Sequence, residues 1–165
     1  DLGGATGHLA VAACRHYSHL QATVFDLPDA VSLAEEMVAI TEVADRVRVV
    51  GGDFFNDPLP PADLYALGRI LHDWDEPKIH QLLQRIHEAL PPGGGVLIAE
   101  KLLRDDKSGP SWAQMQDLNM LTCTEGRERT LAEYTALLEA HGFTEVHGAV
   151  TASPIDAVLG IKRVA

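Results

Sequence analysis

Asp1-Leu2-Gly3-Gly4-Ala5-Thr6-Gly7 opens the chain, and residues 8–17 after it have the composition of a helix. A glycine-rich turn running straight into a helix is how a buried strand of an α/β sheet ends, so this stretch decides the fold. Missing side chains there let a ligand approach the backbone and the helix N-terminus, although a tight turn alone would also account for the glycines. No register of Gly3, Gly4 and Gly7 gives Gly-x-Gly-x-x-Gly, which weakens a nicotinamide-dinucleotide reading without removing it. The chain starts inside such a turn and without methionine. We therefore expect a truncated first strand, with further sequence upstream of Asp1.

Outward from this turn, strand and helix signals alternate. Residues 21–25 are β-rich and end in Asp26; 28–40 are helical; 47–50 form a β-branched run closed by Gly51-Gly52-Asp53; 64–71 form an apolar strand. After Pro77, the residues Ile79, Leu82, Leu83, Ile86 and Leu90 recur at helical spacing until Pro91-Pro92-Gly93-Gly94-Gly95 stops them. Residues 96–99 read as a short buried strand ending in Glu100, and 105–110 as a polar loop. Two helices follow, the second opened by the Thr130-to-Glu133 capping box and ending near Gly142. Runs at 145–150 and 157–164 close the chain as a terminal antiparallel pair. The alternation predicts an α/β fold: one domain over residues 1–165, with a largely parallel sheet and helices on both faces.

A length of 165 residues with 46% hydrophobic and 22% charged content is enough to bury a core. The net charge of -11 leaves no basic stripe for phosphates, which argues against nucleic acid or an anionic membrane as partner. Cys14 and Cys123 are too few and too far apart for a disulfide framework or a metal cluster, which suits a reducing cytosol. No apolar run approaches the ~20 residues of a membrane span, and no signal segment is present.

In open α/β sheets ligands sit beyond the carboxyl ends of the strands. Asp26 stands at such an end and has the reach to accept two ribose hydroxyls, or else to cap the next helix. Asp53 with Phe54 and Phe55 ends the following strand, where a carboxylate and an aromatic wall could receive an adenine. Trp112, Met115 and Asn119 share one helical face, either as a core helix with a satisfied amide or as the wall of a pocket for a flat ligand. Taken singly, His8, His16, His19, His80, His87, His141 and His147 read as surface or capping residues.

Asp26-Leu27-Pro28, Gly52-Asp53-Phe54-Phe55, Arg69-Ile70-Leu71-His72-Asp73-Trp74, Pro92-Gly93-Gly94 and Glu125-Gly126-Arg127-Glu128-Arg129-Thr130 form an ordered series along nearly the whole chain. The series resembles the acetylserotonin (hydroxyindole) O-methyltransferase family and its methyltransferase-like members, whose core is shared with plant caffeate and flavonoid O-methyltransferases. That resemblance implies a Rossmann-like seven-stranded sheet, S-adenosylmethionine as methyl donor and a small aromatic hydroxyl acceptor such as a hydroxyindole. It also implies an upstream helical domain through which the full-length protein forms a homodimer. By resemblance, Gly3, Gly4, Asp26, Asp53, Phe54, Phe55 and Arg69 contact the cofactor, and His72 is the general base. Glu100 and Glu128 flank and orient that base, and Asp73, Asn119 and Cys123 face the substrate, with no metal. The chain departs from the family at Cys123, where glutamine is usual, and at Ala5, where a third loop glycine is usual. Two other readings stand beside this one: a weak or inactive cofactor-binding module of a larger protein, and an NAD(P)-dependent oxidoreductase.

Overall fold

β1 (Ala22–Asp26) and β2 (Val47–Gly51) pair in parallel from Ala22↔Val47 to Asp26↔Gly51, which brings the carboxyl ends of both strands level. In the computed structural model, which describes residues 1–164, this pair is the sheet of a first compact unit, Asp1–Pro60. α1 (His8–His16) and α2 (Pro28–Ala39) pack on it. Ala10, Val11 and Cys14 from α1, with Ala34 and Val38 from α2, enclose Val24, Val43 and Val47. Pro28 stands in the first turn of α2, where its missing N–H leaves no bond unmade.

The opening residues run along the outer edge of β1. The Asp1 amine donates to the Thr23 carbonyl at 2.9 Å, Phe25 N to Asp1 O at 2.9 Å, and Gly3 N to Phe25 O at 2.8 Å. Only one parallel bridge results, Leu2↔Phe25, before Gly3 turns away at φ 66°. Among the described residues, strand pairing gives a two-stranded and a four-stranded sheet, and the first strand of the expected order contributes only this bridge.

The second unit begins at Pro61 and holds a four-stranded sheet ordered β3-β4-β6-β5. β3 (Leu64–Gly68) is parallel to β4 (Gly95–Glu100), while β6 (Asp156–Lys162) is antiparallel to both β4 and β5 (Phe143–Ala149). The terminal antiparallel pair is present, and the sheet is mixed, not largely parallel. α3 (Glu76–Ala89) buries Ile79, Leu82, Leu83 and Ile86, an i, i+3, i+4, i+7 stripe. Asp75 caps it, accepting from Lys78 N at 3.0 Å. α4 (Ser111–Cys123) follows the polar loop, and α5 (Leu131–Ala140) starts on the expected capping box. There Thr130 Oγ1 accepts from Glu133 N at 3.1 Å, and Glu133 Oε2 from Thr130 N at 2.8 Å.

Among the boundaries that differ from the sequence reading, two have a visible backbone cause. β3 stops at Gly68 instead of running to residue 71, because Arg69 takes a left-handed φ of 59° and breaks the ladder. β5 starts at Phe143, ahead of the expected start at 145, because the irregularity at Glu145 (φ 51°) shifts the register between Thr144 and His147 without ending the pairing.

Candidate active site

His72 does not sit on a strand. It lies in a 3₁₀ turn, Leu71–Asp73, which follows the left-handed kink at Arg69. Glu100, the last residue of β4, reaches this turn with Oε1 and accepts from Ile70 N at 3.1 Å, Leu71 N at 2.7 Å and His72 N at 3.2 Å. The Tyr134 hydroxyl, buried on α5, donates to its Oε2. Arg129, also buried, donates from Nη1 to the Leu71 carbonyl at 3.4 Å and from Nη2 to Glu76 Oε1 at 2.9 Å. A carboxylate thus holds the N–H groups of the turn and a guanidinium one of its carbonyls. This revises the expected part of Glu100: it fixes the backbone carrying His72, not the imidazole.

The ring itself is oriented by Glu128, whose Oε1 lies 2.7 Å from His72 Nδ1 with both side chains buried. An ionised carboxylate can only accept, so Nδ1 carries the proton, and Nε2 keeps its lone pair in the neutral ring. Asp73 Oδ1 stands 3.7 Å from that nitrogen. Burial pulls the His72 pKa down. The hydrogen bond to Glu128 and the charges of Glu100, Glu128 and Asp73 together outweigh it and leave the group above its ordinary value. Burial pushes the Glu100 carboxyl up, against the lowering effect of His72 and Tyr134. Burial also lifts Tyr134 well above the usual phenol range.

His72 and Glu128 open onto a cleft of about 350 Å³, open solvent included, lined also by Arg69, Lys101, Trp112 and Gln116. Lys101 Nζ is held by Asp156 Oδ1 at 3.0 Å and the Ser153 carbonyl at 3.2 Å. The second oxygen of Glu128, Oε2, is buried without a hydrogen-bond partner. His72, Glu100 and Glu128 bring one ligand atom each within 4.8 Å of one another, a spacing that could hold a metal ion. Three backbone N–H groups and a phenol already occupy Glu100, however, so the trio is a hydrogen-bonded cluster. Asn119 and Cys123 lie exposed on α4, with Cys123 Sγ 3.6 Å from Asn119 Oδ1. From this helix it is Trp112 and Gln116 that line the cleft.

In the first unit, the loop after Leu2 turns left-handed at Gly3 (φ 66°), Ala5 (φ 46°) and Gly7 (φ 75°), which explains why glycine would suit position 5. A Cβ on Gly4 would stand 2.7 Å from the Asp1 carboxyl group. Asp26 is fixed at the end of β1, Oδ2 accepting from Ala5 N and Oδ1 from Leu27 N, each at 2.7 Å. It makes no cap for α2. One lone pair on each oxygen remains, which fits a pair of hydroxyls. Asp53 folds its own turn, accepting from Phe55 N at 2.8 Å and Asn56 Nδ2 at 2.6 Å. The half-buried Phe54 and Phe55 rings meet edge to face, 4.8 Å apart.

The sequence reading did not single out Tyr134, Lys101 or Gln116. Tyr134 stands four residues before Leu138 in the apolar stripe of α5, a pattern that marks burial but not the hydroxyl's partner.

Residues 1–144 match the family model of the O-methyltransferase domain. Chicken acetylserotonin O-methyltransferase is 49% identical over 162 residues, covering 98% of this chain and 46% of that protein. A human probable bifunctional dTTP/UTP pyrophosphatase/methyltransferase protein is 48% identical over 162 residues, covering 98% of this chain and 26% of that one. The crystal structure of human N-acetylserotonin methyltransferase in complex with SAM superposes with a TM-score of 0.94 at 43% identity, covering 99% of this chain and 47% of that one. The chain thus spans less than half the length of each of these relatives.

Proposed function

The chain belongs to the O-methyltransferase domain family, and from that premise we propose that it carries the catalytic part of an S-adenosylmethionine-dependent O-methyltransferase with His72 as general base. The observation that carries the reading is the buried His72–Glu128 pair, 2.7 Å apart at Nδ1, on a turn pinned by Glu100 and facing a cleft. A phenolic hydroxyl, with a pKa near ~10, is a poor nucleophile until its proton leaves. His72 Nε2 accepts that proton, and the imidazolium so formed is stabilised through Nδ1–H by Glu128. Holding Glu128 and the turn rigid keeps Nε2 aimed at the cleft throughout.

S-adenosylmethionine, when bound, supplies an electrophilic methyl group. Gly3, Gly4, Asp26, Asp53, Phe54 and Phe55 are the residues of the first unit that would hold it, and the family resemblance also assigns Arg69 to it. The glycine turn and the two free lone pairs of Asp26 fit that task. The acceptor is a small aromatic hydroxyl compound of hydroxyindole type, met by Asp73 and, if α4 is covered, by Asn119 and Cys123. The same reading includes a cytoplasmic homodimer that pairs through sequence upstream of Asp1. It rests on the family resemblance and on the acidic, cysteine-poor composition.

The test is H72A in the full-length protein. Turnover on a hydroxyindole should fall by roughly 10² to 10⁴, the usual worth of a general base, while affinity for S-adenosylmethionine stays near the parent value. Turnover within a few fold of the parent would place the base elsewhere. A melting temperature raised by NADH but not by S-adenosylmethionine would favour the oxidoreductase reading instead.

A further inference from the structure

α3 and α5 each contribute a histidine that the methyl-transfer reading leaves unused. Nδ1 of His80, exposed on α3, lies 2.7 Å from Nε2 of His141, half-buried just past the last turn of α5. The ring centroids are 5.0 Å apart, with the planes inclined at 40°. Two nitrogens that close share one proton, since two facing N–H groups would repel. His141 also sits where α5 ends and its last carbonyls gather, the electronegative end of the helix, which favours a cation. Burial, then the neighbouring His80 and His87, holds His141 below the ordinary imidazole value. The neutral imidazole is the form that binds metals.

We propose that His80 and His141 form a binding site for a borderline divalent transition-metal ion of the Zn²⁺ class, which replaces the shared proton and clamps α3 to α5. Nitrogen ligands sit about 2.0–2.1 Å from zinc, and tetrahedral angles then put two of them about 3.3 Å apart. From 2.7 Å the rings need to part by about 0.6 Å, within reach of side chains at the surface. On binding, the shared proton moves to the far nitrogen of its own ring, or is lost to solvent if the pair began protonated. His87, two turns after His80 on α3, stays outside the ligand set. Its ring stands edge-on to Phe143 at 5.1 Å, and Lys162 donates to its carbonyl at 2.6 Å, placing an ammonium beside it. Water completes the coordination, so the site is open, and imidazole ligands suit zinc, nickel and copper over magnesium or calcium.

Titrating the untagged chain with ZnCl₂ near neutral pH in a calorimeter tests this, with the histidine ring resonances followed by NMR. One ion per chain is expected, with the His80 and His141 resonances moving and those of His72 unmoved. H80A and H141A should each weaken the affinity on the order of tenfold or more, since a ligand matters at least as much as the outer-shell partners whose loss costs that much. Zinc should raise the melting temperature of the parent and not that of H141A. Equal affinity in the parent and the H80A/H141A double variant would overturn the proposal, as would zinc-dependent shifts confined to His72. His80 is exposed and His141 half-buried at a helix end, so circular dichroism of both variants checks that they fold.

Discussion

At the residue scale, the chemistry of the site turns on how Glu128 and Glu100 divide their work. Glu128 faces the imidazole and raises its basicity; Glu100 faces the backbone and fixes where the imidazole stands. The motif around His72 made the clustering of this histidine with Glu100 and Glu128 legible through the family resemblance, because the residue types and their order are specific. Which carboxylate meets the ring was not legible, since that depends on Gly68 and Arg69 ending the strand early and exposing three N–H groups to Glu100. The left-handed φ of an arginine leaves no mark in the sequence. A pH profile distinguishes the two roles. With His72 held above its ordinary value, the acidic limb of kcat/KM in the full-length enzyme should lie above the unperturbed imidazole pKa of about 6.5. E128Q removes a charge that raises it while burial still pulls it down, so the limb should move to lower pH as kcat falls. The same sign governs stability. The His72–Glu128 pair stabilises the folded state fully below the unfolded imidazole value, and this is lost as pH rises through the folded one. A limb that stays in place in E128Q would mean that Glu128 does not set the protonation of His72.

At the element scale, helices were legible where a start signal and an apolar stripe coincided, as at Pro77 with Ile79, Leu82, Leu83 and Ile86, or at the Thr130–Glu133 box. Strands were legible as β-branched runs. Their ends were not, because the kink at Arg69 and the irregularity at Glu145 are settled by pairing partners far along the chain. The division of the strands into two sheets was hidden for the same reason, since partner choice has no local signature. α3 carries the greatest consequence among the helices, because it leaves directly from the turn bearing His72. Leu82 is fully buried in its stripe, so L82A should cost about 2–5 kcal/mol from lost transfer energy and the cavity left behind. Urea unfolding monitored by circular dichroism measures this, and a loss below about 1 kcal/mol would mean that the α3 interface repacks freely. Because the turn is anchored separately by Glu100 and Arg129, cofactor binding by the folded fraction should survive the substitution.

At the scale of the whole molecule, α4 stands apart from the other helices. It buries only Ala113 and Met120, while the side turned away from them carries Met115 and Leu118 at 63% and 59% exposure, flanked by Trp112 and Leu121 at 51% and 76%. A helix apolar on both sides is built to be covered on both sides. A contiguous exposed patch of this kind marks an association surface. The sequence pattern at Trp112, Met115 and Asn119 was legible as a helical face, but its exposure was not, because core and interface helices look alike in one dimension. Opposing association is the net charge of -11, which repels like copies over a Debye length of about 10 Å at 0.1 M salt. The two effects have opposite salt dependence, so their balance is measurable. Residues 1–165 alone should self-associate in sedimentation equilibrium, more tightly as salt screens the acidic surface. The double substitution L118Q/L121Q should return the protein to a monomer at all salt concentrations, with the circular dichroism spectrum unchanged because both side chains already face solvent. Association that weakens with added salt, or that persists undiminished in L118Q/L121Q, would show that charge pairing elsewhere on the surface, and not α4, brings the copies together.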